Sequence, residues 1–276
     1  MNNHSMLSKI TAHIILAFVA VTVLIPMTYV LLVSFGKHVT SGSAIIPDSY
    51  TLENYRKLFI ETQFLRWITN SLIMSVTAMA LGTLVCTIAA YVFGRVNFAG
   101  KRMLRNFILL IQVFPLTLSM VSINKIFQTL DLANRIMGLS LINAAMSAAG
   151  LIFVAIGYVN NVPYTLEEAA MMDGASGTQR FFKISLPLLR PMFSFVCIQS
   201  FVLAYNEYVI ANVVMTKGFE SMPLAVGLQS LIAGQYGTNW SIYCAGAILG
   251  SLPVLLLFYY LQRNYISNSI SGGIKE

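Results

Sequence analysis

Six stretches of about 20 residues are almost free of charge: roughly 11–35, 69–93, 106–124, 139–158, 192–214 and 241–262. A helix needs about 20 apolar residues to cross the hydrocarbon core of a bilayer. In lipid, every backbone polar group must be satisfied within the segment, so the stretches are predicted to be helices. The expected fold is all-α and polytopic, with six transmembrane helices and both termini on one side.

Composition agrees. Of 276 residues, 57% are hydrophobic and 10% charged, against about 25% charged in a soluble domain. Mean hydropathy is +0.74. A folded surface must be wetted, and a soluble core of this size cannot hide so much apolar material. The lipid bilayer is the expected partner. The net charge is +7, but the cations lie between apolar runs and form no clustered stripe, which argues against nucleic acid. Cys86, Cys197 and Cys244 each sit inside an apolar stretch with no CxxC. They read as small buried hydrophobes, with neither a disulfide framework nor a metal site. The polar start, Met1–Lys9, leads into an apolar run from Ile10 to Phe35. That run exceeds the roughly 7–15 residues of a signal peptide, so it is expected to be a retained first span.

Lys and Arg in the loops set orientation. With the N-terminus cytoplasmic, the inside carries Lys9, Arg95, Lys101, Arg102, Arg105, Arg180, Lys183, Arg190, Arg263 and Lys275. The outside carries Lys37, Arg56, Lys57, Arg66, Lys125, Arg135 and Lys217. The 94–105 loop has no acid, whereas the 36–66 loop offsets its cations with Asp48, Glu53 and Glu61. Both termini are therefore expected in the cytoplasm. Residues 1–68 form the first span and outer loop, 69–262 a five-span core, and 263–276 a cytoplasmic tail.

The loops differ in character. From Leu52 to Trp67 the first outer loop becomes helix-like. Leu52, Tyr55, Phe59 and Leu65 stand near helical spacing, which predicts an amphipathic helix at the interface. The last outer loop, 215–240, is rich in Gly and polar residues. Within the second span, Ala78-x-x-x-Gly82 and Ala90-x-x-x-Gly94 place small residues where helices can approach closely. The third span holds Gln112, Pro115, Thr117 and Asn124. The fifth holds Gln199, Asn206 and Glu207, and the sixth Pro253. Ser, Thr and Gln within spans are usually helix–helix glue. An ionisable Glu207 is costly there and marks a functional or structural position.

The inner loop 163–191 has signals of its own. Thr165 and Glu168 have capping-box spacing. Glu167 and Glu168 suit a positive helix N-terminus, and Gly174 offers a left-handed stop. A helix of about two turns is predicted, roughly 166–173. Ser176-x-x-Gln179 opens a second helix, carrying Phe181, Phe182 and Ile184 toward Leu186-Pro187. Leu166, Ala169, Ala170 and Asp173 share one face. Its small alanines let the helix sit deep in a groove of another protein.

Glu168-Ala169-Ala170, Gly174, Ile184 and Leu186-Pro187 stand at the spacing of the EAA motif, and the segment resembles that of ABC importer permeases. Thr51 to Ser71, Phe114-Pro115, Leu224-Ala225-Val226-Gly227-Leu228 and Gly272-Gly273-Ile274-Lys275 resemble the carbohydrate-uptake type. The whole chain is most similar to the smaller permease of maltose and maltodextrin importers. Ala204-Tyr205-Asn206-Glu207 departs from the pattern by lacking a Trp before Asn, which leaves the sugar open.

The resemblance implies an inner-membrane permease of a binding-protein-dependent sugar importer. Its partners would be a homodimeric ATPase, a second homologous permease and an extracytoplasmic solute-binding protein. Leu166, Glu167, Glu168, Ala169, Ala170, Asp173, Gly174, Ala175, Phe181 and Pro187 would form the coupling helix and its base. Gln112, Tyr205, Asn206, Glu207 and Tyr208 are pathway candidates, with Glu207 alternatively a lock between the two permeases. Gln229, Ser230, Gln235 and Tyr236 are candidates for contacting the binding protein. The tail from Gly272 to Glu276 would reach the ATPase. The chain has no cofactor of its own in this reading. Gly94–Lys101 only loosely resembles a phosphate loop: five residues separate its glycines and Arg102 stands where Ser or Thr is needed. ATP and magnesium therefore belong to the partner ATPase.

A permease for glycerol phosphate or another polyol fits the same class. An ion-driven secondary transporter would show inverted repeats and ionisable pairs at mid-membrane, and the halves do not match. HExxH, paired histidines and a serine nucleophile elbow are missing, which argues against an enzyme.

Overall fold

The computed structural model describes residues 3–37, 46–218, 221–233 and 239–271. Among them the chain is helical apart from turns and an isolated bridge between Gly36 and Tyr50. Among the described residues, five segments are long and apolar enough to cross a membrane: Ser8–Phe35, Phe64–Arg95, Ile136–Asn161, Arg190–Val214 and Trp240–Leu261. Two compact units are distinguished, Met1–Phe64 with Gly227–Leu252 and Leu65–Val226 with Pro253–Glu276.

In the first unit, α1 (Asn3–Phe35) meets α2 (Glu53–Glu61) at its last turn. Val33 and Ser34 are buried there, whereas Ile14, Phe18 and Leu24 are exposed. Asn54 Nδ2 donates to the carbonyls of Ser34 and Gly36, each at 2.9 Å. The amphipathic helix expected over 52–67 differs from this. Helix α2 stops at Thr62, whose backbone is extended and whose hydroxyl accepts from the Phe64 amide. The buried face is Asn54 and Leu58; Leu52, Phe59 and Leu65 are exposed.

The second unit is built on α3 (Phe64–Arg95), α6 (Ile136–Asn161) and α10 (Arg190–Tyr205). Ala78, Ala144 and Ala204 meet where the three converge. Cys86, Ala90, Ala155, Val159, Met192 and Val196 fill one flank. The small-residue spacing of α3 does what it predicts. A Cβ on Gly94 would lie 2.5 Å from Val159 Cγ1, and one on Gly82 would strike Ser147 Oγ.

The third expected span, 106–124, is not one continuous helix. Helix α4 (Lys101–Val113) ends before Pro115; a short 3₁₀ turn, Leu116–Ser119, leads into α5 (Met120–Thr129). Pro lacks the amide and crowds the preceding turn, and here the helix breaks, whereas the helices Asn3–Phe35 and Trp240–Ser271 continue through Pro26 and Pro253. The fifth is interrupted too: α10 stops at Tyr205, and α11 resumes over Val209–Val214.

The chain between α6 and α10 forms α7 (Thr165–Met172), α8 (Gly177–Arg180), a π-helical turn at Phe181–Ser185 and α9 (Leu186–Leu188). Last come α12 (Leu224–Ile232) and α13 (Trp240–Ser271).

Candidate functional site

Helix α7 is short, yet its shape is closely determined. Its start differs from the expected capping box. Thr165 already lies inside the helix and makes no side-chain cap; the Tyr164 carbonyl accepts from the Glu167 and Glu168 amides at 2.9 and 3.0 Å. Its end is as predicted. Gly174 takes φ +80°. Its amide donates to Met171 O and the Ala175 amide to Ala170 O, which together make a Schellman stop. Ser176 and Gln179 form the predicted reciprocal capping box that opens α8.

Nothing crowds a Cβ at Gly174, so a substitution there acts through the backbone alone. A β-branched side chain held left-handed costs about 1–2 kcal/mol. Gly174→Val is therefore expected to speed limited proteolysis between α7 and α8 without altering cleavage elsewhere. Gly174→Asn should do so less, because Asn tolerates this region better.

Leu166, Glu168, Ala169, Asp173, Gly174 and Pro187 are exposed; Ala170, Ala175 and Phe181 are half-buried. Glu167 departs from the group, being 1% exposed. Its Oε2 accepts from Tyr91 Oη at 2.9 Å, and its Oε1 accepts from Ser185 Oγ at 2.8 Å. Arg95 Nε lies 3.0 Å from the same Oε1. The Arg95 guanidinium also donates to Val162 O and lies 5.4 Å from the centroid of the Tyr164 ring. The Tyr91 ring meets Phe181 at 4.8 Å. A carboxylate so buried needs partners on both oxygens, and here it has them. Removing one member of such a pair leaves a buried charge alone, at a cost of about 3–5 kcal/mol.

The site thus joins the end of α3 to the entry, body and exit of the α7 loop. Tyr91 and Arg95 stand outside the coupling candidates named from the sequence. The available signal was their spacing of four at a span end, which puts both on one helix face. In the sequence Arg95 reads as one of several orienting cations.

The pathway candidates are split. Tyr205 is buried, Asn206 exposed, and Glu207 and Tyr208 half-buried, all at the break between α10 and α11. Glu207 accepts from the amides of Ile210 and Ala211 at 2.7 and 2.9 Å, so it caps α11 as well as standing at the break. Asn206 Nδ2 donates to Val202 O. Gln112 lies on α4 and donates to Ala149 O of α6. In the last loop, Gln229 and Ser230 are half-buried on α12, while Gln235, Tyr236 and the tail from Gly272 to Glu276 lie outside the described residues.

Residues 82–267 match the family of binding-protein-dependent transport system inner membrane components. The chain belongs to that family. The permease is 33% identical over 270 residues to a galactooligosaccharides transport system permease protein of Bacillus subtilis, covering 96% of this chain and 94% of the relative. It is 29% identical over 273 residues to a maltodextrin transport system permease protein of the same organism, covering 98% and 97%. It is 30% identical over 280 residues to a maltose/maltodextrin transport system permease protein of Salmonella typhimurium, covering 95% and 93%. A crystal structure of a bacterial ABC transporter that imports the polysaccharide alginate shares the permease's fold, with a TM-score of 0.74 at 19% identity over 95% of this chain and 98% of that one. The permease is a transport component of the inner membrane, not an enzyme.

Proposed function

We propose that the permease is one of two transmembrane subunits of an ATP-driven importer for oligosaccharides of the maltodextrin type. Similarity to sugar permeases over nearly the whole chain supports this most strongly. In this reading both termini are cytoplasmic. An ATPase homodimer binds ATP and magnesium, a solute-binding protein delivers the sugar outside, and a second permease completes the pathway. The exposed apolar flanks of α1 and α4 are left for that second permease and for lipid.

Helix α7 is the element that docks on the ATPase. Its exposed Leu166, Ala169 and Met172 form a small apolar surface over a rigid base. ATP closes the ATPase dimer, α7 follows its cleft, and the motion enters α6 and α10 through the chain on either side. The bundle then exchanges inward- and outward-facing states whose balance nucleotide sets. The break at Asn206–Tyr208 is the proposed pathway element, and α12 with the loop after it the proposed contact for the binding protein.

The test is reconstitution in liposomes of the permease with its ATPase, second permease and binding protein. Labelled maltodextrin should enter only with ATP and binding protein together. Uptake by the permease alone, driven by a sodium or proton gradient, would overturn the reading.

A further inference from the structure

The proposed route carries motion into the two crossings joined to the α7 loop. The buried carboxylate of that loop reaches a crossing to which the loop is not joined. We infer that α3 is a second, direct output of the coupling helix, gripped through Glu167, with Arg95 and Tyr91 as positioning residues. The inference rests on α7 being the ATPase-docking element.

Glu167 belongs to α7, yet its side chain is spent on α3 and on Ser185 rather than on the docking surface. Arg95 holds the chain entering α7 at Val162 as well. Sliding α7 along α3 would break these contacts together and strand a charge out of water, so the elements are constrained to move as one body. Helix α3 has 32 residues, or about 48 Å at ~1.5 Å per residue. A displacement at Arg95 is therefore delivered past the far side of the hydrocarbon core.

The far end is gripped too. Asn70 Nδ2 donates to Met222 O at 3.0 Å, and Ser71 Oγ accepts from the Leu224 amide at 2.8 Å. These bonds attach the segment that opens α12 to the other end of the same rod. Helix α3 thus connects the coupling helix with the last outer loop, in either direction.

The test uses the assembled complex in nanodiscs, with spin labels at Asn97→Cys and Met172→Cys, both exposed positions. The inter-label distance should hold within about 2 Å when ATP is added, the size of an ordinary interface shift. Arg95→Gln and Glu167→Gln should lower sugar imported per ATP hydrolysed by about tenfold, within the usual range of coupling energies. Arg95→Lys should recover part of it. A change beyond about 5 Å in the unaltered complex, one helical turn, would overturn the inference. So would assembled Gln variants with an unaltered sugar-to-ATP ratio. If the Gln variants fail to assemble, the distance in the unaltered complex decides. Failure of the docking reading looks different: Leu166→Cys would then form no cross-link to the ATPase in any state.

Discussion

Replacing Ala169 with glutamate is expected to abolish sugar uptake while leaving the permease folded. Ala169 is exposed on α7, so the new side chain meets water in the isolated chain and breaks no internal contact. In the complex the same carboxylate would be buried against the ATPase without a partner. Interface charges of that kind cost about 3–5 kcal/mol, or between two and four orders of magnitude in affinity at ~1.4 kcal/mol per tenfold. Affinity-purified complexes should lose most of their ATPase subunit, and uptake should fall to background. Ala169→Ser, which adds a hydroxyl and no charge, should retain both. Normal uptake with Ala169→Glu would remove α7 from the docking surface.

The second large effect lies in the bundle. Gly94→Leu places a side chain where α3 and α6 nearly touch: its Cβ alone would stand 2.5 Å from Val159 Cγ1 and 3.1 Å from Val159 Cβ. Val is stiff at χ1 in a helix and cannot swing aside. Overpacking of this sort costs about 1–3 kcal/mol, sometimes more. The melting temperature of the detergent-solubilised permease should fall by several degrees, and Val159→Ala should restore part of the loss. Gly150→Leu is the control, since nothing lies within 4 Å of a Cβ there. Equal loss at both positions would mean that α3 and α6 do not approach as closely as described.

Much of the fold was legible because lipid permits so few solutions: a long uncharged run must be a helix. What hydropathy could not register was interruption. Residues 106–124 are apolar enough to read as one crossing, yet Pro115 and an extended Phe114 divide them. The break at Asn206–Tyr208 was visible only as a polar patch, because Glu207 supplies the cap that lets α11 restart. In the segment from α7 to α9, local chemistry was readable at Gly174 and at Ser176 with Gln179. Each of those features depends on neighbours within a few residues. The role of Glu167 was not readable. Adjacent glutamates look alike in a sequence, and only tertiary contacts with Tyr91, Arg95 and Ser185 turn one inward and leave the other outside. Thr165 differs from its expected capping role for a related reason, since the Tyr164 carbonyl engages the amides that a cap would take.

The importer account stands or falls on what the exposed face of α7 touches. A variant lacking the three native cysteines and carrying Leu166→Cys, assembled with its ATPase in membranes, can be treated with a short bifunctional thiol reagent. A cross-link to a cysteine placed in the ATPase cleft is the predicted result. Labelling of Leu166→Cys from outside intact cells by a membrane-impermeant thiol reagent would put α7 on the wrong side of the bilayer and contradict the account.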